Sequence, residues 1–118
     1  MVSDTDVISD WLTVPDMVEL SGAKITEVKR WLQDREVLGR RRGPNNALMV
    51  PASFLVDGRP LPSLRGTVTV LADSGWGDDE IIDWLHVADD SLPGGSAIAS
   101  LRQGSKTEVR KRAQEAAF

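Results

Sequence analysis

Apolar positions recur at helical spacing along much of the chain, and two short patterns follow each other near the start. Val14, Met17, Val18 and Leu20 give a short apolar face, and Ser21-Gly22 closes it. Thr13 suits a helix N-cap, Pro15 suits the first turn, and Asp16 and Glu19 favour a helix N-terminus. Ile25, Val28, Trp31 and Leu32 then line one face of a second helix that ends near Arg35-Glu36. Thr26, Glu27, Lys29, Arg30, Gln33 and Asp34 fall on its other faces.

The period changes after Gly39. Arg40-Arg41-Arg42 and Ala47-Leu48-Met49-Val50-Pro51 flank Gly43-Pro44-Asn45-Asn46, whose residue types favour a turn. This predicts a β-hairpin with an arginine-rich first strand. Ala52 to Val56 fits a strand or a short helix before Asp57-Gly58. Helical spacing returns with Leu64, Val68, Leu71 and Ala72, then with Ile81, Ile82, Trp84 and Leu85 behind the acidic turn Asp78-Asp79-Glu80. Ala97 to Leu101 predicts a short helix ended by Gly104. Ser105 with Glu108 predicts a capping box that starts a last helix burying Val109, Ala113 and Ala116 or Ala117. No repeat and no low-complexity tract stands out.

The predicted fold class is mostly α. It is a winged helix-turn-helix with a small β-hairpin wing, followed by a C-terminal helical unit packed against it. The predicted divisions are an acidic tail at 1–9, the winged unit at 10–57 and a helical accessory unit at 58–118. Ser3, Thr5 and Ser9 lie in the tail, where phosphorylation would oppose polyanion binding; an unmodified tail is the simpler reading.

Composition narrows the function classes. The 118 residues include no cysteine, which removes disulfides and thiolate metal sites and fits a reducing compartment. The apolar runs are too short to span a membrane, and the acidic start lacks the order of a signal peptide, so the expected location is the cytoplasm.

The net charge is −4, yet it is unevenly spread. Residues 1–23 carry five acids and no base, residues 24–42 carry seven bases and three acids, and residues 43–118 carry seven bases and ten acids. A basic segment inside an acidic chain fits a local polyanion site. A solvated charged helix with a basic turn explains the same charge, and charge alone leaves both readings open.

The order of the elements carries more weight. A short helix, a glycine turn, a helix with polar outer residues and a basic hairpin form the winged helix-turn-helix plan. Lys29 and Arg30 suit guanine O6/N7, Gln33 suits adenine, and Thr26 suits a base or a phosphate. Arg40, Arg41 and Arg42 suit phosphates or a narrow minor groove, and Asn45 and Asn46 suit the wing tip. The expected partner is double-stranded DNA; the C-terminal helices leave open a homodimer or a protein partner.

Trp11 to Gly22, with Val28 and Trp31-Leu32, resembles the opening of MerR/excisionase-type winged helices. The whole chain resembles the Rv2175c-like family of actinobacterial DNA-binding proteins. The resemblance is carried by Leu64-Arg65-Gly66-Thr67, Glu80 to Leu85, Asp90-Ser91-Leu92-Pro93-Gly94 and the ending Glu108 to Phe118. It implies a winged helix, DNA binding, no cofactor and no catalysis. The sequence departs from the helix-turn-helix pattern at Lys24, where a Ser or Thr usually caps the recognition helix, and at Asp16, where Glu is usual. Lys24 is kept among the candidate DNA-binding residues.

Other chemistry is better explained by structure. His86 has no cysteine partners, and the acidic turn at 78–80 fits a helix N-terminus better than a metal. Pro93-Gly94-Gly95-Ser96 has no preceding strand and no Lys-Ser/Thr pair, so it is not a P-loop. Arg110, Lys111 and Arg112 wrap around their helix, and a solvated face explains them more simply than a second DNA contact.

Overall fold

The computed structural model describes residues 8 and 10–117, in two compact units that meet between Pro60 and Leu61. Of the expected acidic tail at 1–9 only Ile8 is described, and it is buried; Ser3, Thr5 and Ser9 lie outside the described residues.

The first unit opens with a strand that periodicity did not reveal. β1 (Trp11–Thr13) pairs antiparallel with β3 (Ala47–Pro51), which also pairs with β2 (Arg40–Arg42). The sheet order is β1-β3-β2. Thr13 ends β1 and caps α1 (Val14–Ser21): its hydroxyl accepts from the Asp16 N–H, and the Asp16 carboxylate accepts from the Thr13 N–H. The shorter aspartate therefore completes the capping box. Gly22 ends α1 in the left-handed region, with its N–H on the Val18 carbonyl.

α2 (Ile25–Gln33) follows after a short turn, and its N-cap Lys24 offers no side-chain bond. Its C-terminus closes as a Schellman motif. The Arg35 N–H reaches the Leu32 carbonyl and the Glu36 N–H reaches the Trp31 carbonyl, with Arg35 itself left-handed. Met17, Val28, Trp31, Val37, Leu38, Val50 and Phe54 form the core of this unit. Two expected core residues are not buried. Leu20 is 58% and Ile25 49% exposed, because both sit beside the α1–α2 turn, at helix ends.

Residues 52–56 adopt both expected conformations in succession: one 3-10 turn at Ala52–Phe54, then β4 (Leu55–Val56). β4 pairs with β5 (Arg59–Pro60) through Asp57-Gly58, both at positive φ, the signature of a type I′ hairpin.

The second unit is helical. α3 (Leu64–Asp73), α4 (Asp78–His86), α5 (Ala97–Arg102) and α6 (Lys106–Ala116) bury Leu64, Val68, Leu71, Ile81, Ile82, Leu85, Ile98, Leu101, Val109 and Ala113. Glu80 accepts from the Gly77 N–H and so holds the start of α4. The Ser96 hydroxyl accepts from the Ala99 N–H at the start of α5. The capping box expected at Ser105 does not form, because Glu108 turns along the helix to Arg112 at 2.9 Å. Ala116 is exposed, Ala117 half-buried. His86 rests its Nδ1 on the Ile82 carbonyl of its own helix.

Candidate nucleic-acid interface

α2 is two-faced by its 3.6-residue period. Val28 and Trp31 point into the core, while Thr26, Lys29, Arg30 and Gln33 lie on the opposite, exposed face. Four of the candidate residues are thus neighbours, at i, i+3, i+4 and i+7. Lys24 stands exposed just before the helix, and Ile25 sits at the margin of this face beside Lys29.

The one acid in the first turn of α2 is engaged by a residue that sequence reasoning did not single out. Arg59 Nη1 on β5 donates to Glu27 Oε2 at 2.8 Å. A two-residue strand carries no periodicity, so nothing in the sequence assigns Arg59 to this helix. Its charge offsets the carboxylate that would otherwise repel a polyanion. Both side chains are open to solvent, so the pair adds little to stability.

The hairpin divides its three arginines. Successive residues of a strand point to opposite faces, so Arg40 and Arg42 share one face and Arg41 takes the other. The Arg42 guanidinium lies 4.4 Å from the centroid of the Trp11 ring, and that of Arg40 lies 5.6 Å from it. These are cation–π distances. Trp11 is half-buried and serves as a platform for the basic strand. Its indole N–H donates to the Ile8 carbonyl at 3.1 Å, which fixes the ring. Arg41 is exposed, and its Nη1 donates to the Asn46 carbonyl at 3.3 Å.

The tip is a turn in which Pro44 and Asn45 occupy the centre. The Asn46 N–H closes it on the Gly43 carbonyl at 3.0 Å, and Gly43 and Asn46 both have positive φ. Asn45 and Asn46 are exposed there. The candidate residues therefore form three groups: the α2 face, the Trp11-supported pair, and Arg41 with the turn. Among the described residues no group of three or more His, Asp or Glu lies placed to hold a metal ion. No helix among them is long and apolar enough to cross a membrane.

Residues 61–117 match the family of the Rv2175c C-terminal domain, a domain of unknown function. Over 117 aligned residues the chain is 27% identical to the DNA-binding protein Rv2175c of Mycobacterium tuberculosis, covering 89% of this chain and 79% of that protein. The chain is thus similar to Rv2175c along most of its length, and its second unit matches the C-terminal domain family. The NMR structure of Rv2175c matches with a TM-score of 0.81 at 27% identity, over 92% of this chain and 82% of the other. The Rv2175c-like match spans both units and carries the mostly helical fold with its small antiparallel sheet.

Proposed function

We propose that this protein binds double-stranded DNA through its first unit, acting as a winged helix-turn-helix. In this reading α2 enters the major groove and the β2–β3 hairpin is the wing. The observation that carries it is the shared exposed face of Thr26, Lys29, Arg30 and Gln33, with Glu27 neutralised by Arg59. The name of the relative, a DNA-binding protein, supports the same reading.

The chemistry of that face suits a groove. Arg30 and Lys29 donate to guanine O6/N7, Gln33 pairs with the adenine edge, and Thr26 bonds a base or a phosphate. Ile25 supplies an apolar contact of the kind that thymine methyl groups accept. Lys24 adds positive charge at the N-terminus of α2, where phosphates are favoured. In the wing, Trp11 holds Arg40 and Arg42 on one face of the sheet, and guanidinium groups suit phosphate oxygens. Arg41, Asn45 and Asn46 present donors at the tip. No cofactor is needed for any of these contacts. A cytoplasmic transcriptional regulator or a nucleoid-associated accessory protein fits this activity.

Selection of bound sequences from random duplexes tests the reading. Arg30→Ala and Gln33→Ala change which sequences are preferred, because base contacts specify. Changing Arg40, Arg41 and Arg42 together to Ala weakens binding to all sequences and lowers the salt slope by up to about three. A triple variant that binds duplex DNA as the parent does removes the wing from the interface.

A further inference from the structure

The exposed face of α2 has a counterpart in the second unit. Thr26-Glu27-Val28-Lys29-Arg30-Trp31-Leu32-Gln33 aligns without a gap on Thr107-Glu108-Val109-Arg110-Lys111-Arg112-Ala113-Gln114. Four of the eight positions are identical, and at two more one basic residue stands for the other. The match is also structural. Each segment starts at the second residue of its helix, and Val28 and Val109 are both fully buried. Each glutamate is held by an arginine: Glu27 by Arg59 at 2.8 Å and Glu108 by Arg112 at 2.9 Å.

What remains outside is the same set of side chains at the same spacing. On α2 it is Thr26, Lys29, Arg30 and Gln33; on α6 it is Thr107, Arg110, Lys111 and Gln114, all exposed. With Lys106 these α6 residues line one open groove of about 300 Å³, and among the described residues no carboxylate lines it. Arg112, the third cation of the run, points elsewhere, to Glu108, Asp89 and Ser91.

Gly66 on α3 belongs to the arrangement. The Arg110 guanidinium rests against its bare backbone, where a methyl group would make the flexible end of that side chain swing aside. Gly66 lies inside a helix with no positive φ, so backbone conformation does not call for glycine.

We propose that α6 is a second DNA-binding helix, with Lys106, Thr107, Arg110, Lys111 and Gln114 taking the phosphate backbone of duplex DNA. This rests on the DNA-binding reading of the α2 face, whose side-chain set it repeats. Three cations with a hydroxyl and an amide donor, and no acid among them, match a row of phosphates in charge and in hydrogen-bonding type.

The test uses the full chain and a labelled duplex of about 20 base pairs, titrated by fluorescence anisotropy between about 50 and 200 mM salt. The variants are Lys106→Gln/Arg110→Gln/Lys111→Gln, Lys29→Gln/Arg30→Gln and, separately, Arg110→Gln. The α6 triple is expected to flatten the salt slope by about two to three, at nearly one unit per lost phosphate contact. Arg110→Gln, a single change at an exposed position, flattens it by about one and guards against a triple that fails to fold. The Thr107 and Gln114 amide resonances of the parent shift on adding duplex.

A normally melting triple and an Arg110→Gln protein that both keep the parent slope, while the α2 double loses affinity, overturn the α6 assignment and leave the α2 reading standing. A parent that binds no duplex at about 50 mM salt removes both. Polyglutamate binding that the α6 triple loses, with duplex affinity unchanged, assigns the face to an acidic protein instead.

Discussion

Arg42 lies over the Trp11 indole with its guanidinium carbon 4.4 Å from the ring centroid, although the two residues stand on strands that never pair with each other. β3 between them carries both: Trp11 is opposite Pro51, and Arg42 is opposite Ala47. The contact therefore ties the start of the unit to the basic strand across the whole sheet. A Trp11/Arg42 double-mutant cycle, with Leu at 11 and Ala at 42, is expected to give a coupling of about 0.5–1 kcal/mol in urea denaturation, the range for exposed cation–π pairs. Additive single effects would show that the stacking carries no energy.

Gly58 answers to two demands at once. Its φ of +78° completes the Asp57-Gly58 turn, and its Cα side faces the end of α1, where an added Cβ would stand 3.0 Å from the Leu20 carbonyl oxygen and 3.1 Å from Ser21 Cα. Both neighbours are backbone and cannot swing aside. Gly58→Ala is expected to destabilise by about 2 kcal/mol, the sum of a left-handed penalty near 1 and a comparable steric cost. Thermal melting of the variant checks this, and Asp57→Gly, which relaxes the same turn without the clash, should melt within a few degrees of the parent.

Local signals were legible in the sequence, and pairings at a distance were not. Thr13, Pro15 and Asp16 announce the start of α1 because a capping box is closed within four residues. β1 escapes notice because three residues show no period and their partners lie near 50 in the chain. The membership of the α2 face follows from helical spacing, but the placement of Ile25 does not: at a helix end, whether a margin position is covered depends on neighbours elsewhere in the chain. Strand alternation alone separates Arg41 from Arg40 and Arg42; that the pair rests on Trp11 depends on β1. Ser105 and Glu108 have the spacing of a capping box, yet the carboxylate finds Arg112 one turn on, a charged partner that outweighs a backbone N–H. Arg59 reaches Glu27 only through the second hairpin, which two-residue strands do not advertise.

Thr67 places a hydroxyl in the core of the second unit. The residue is fully buried within α3, and its Oγ1 has no hydrogen-bond partner among the described residues. A buried polar atom in that state costs free energy that an isosteric methyl group does not. Thr67→Val should stabilise the protein by about 1 kcal/mol, read as a higher urea midpoint with an unchanged denaturant slope. A destabilised variant would mean that the hydroxyl is satisfied in solution.

The loop between α4 and α5 responds to acid through Asp89. Its carboxylate accepts from the Ser91 hydroxyl at 2.6 Å and from the Ser91 N–H at 3.0 Å, and these two bonds hold its pKa below the usual aspartate range. Burial opposes the shift slightly, and Arg112, 3.4 Å away, adds to it. A carboxyl whose folded pKa lies below its unfolded value stabilises the fold above the unfolded value. That contribution fades as pH falls through the lowered folded value. Asp89→Asn keeps an oxygen acceptor for Ser91 but removes the charge. The parent should therefore be the more stable of the two at pH 7 and at pH 5, and the difference should shrink toward zero as the pH drops below the aspartate range. Denaturation of both proteins at a series of pH values measures this. A gap that stays constant from neutral to strongly acidic pH would mean that the Asp89 charge contributes nothing to the loop.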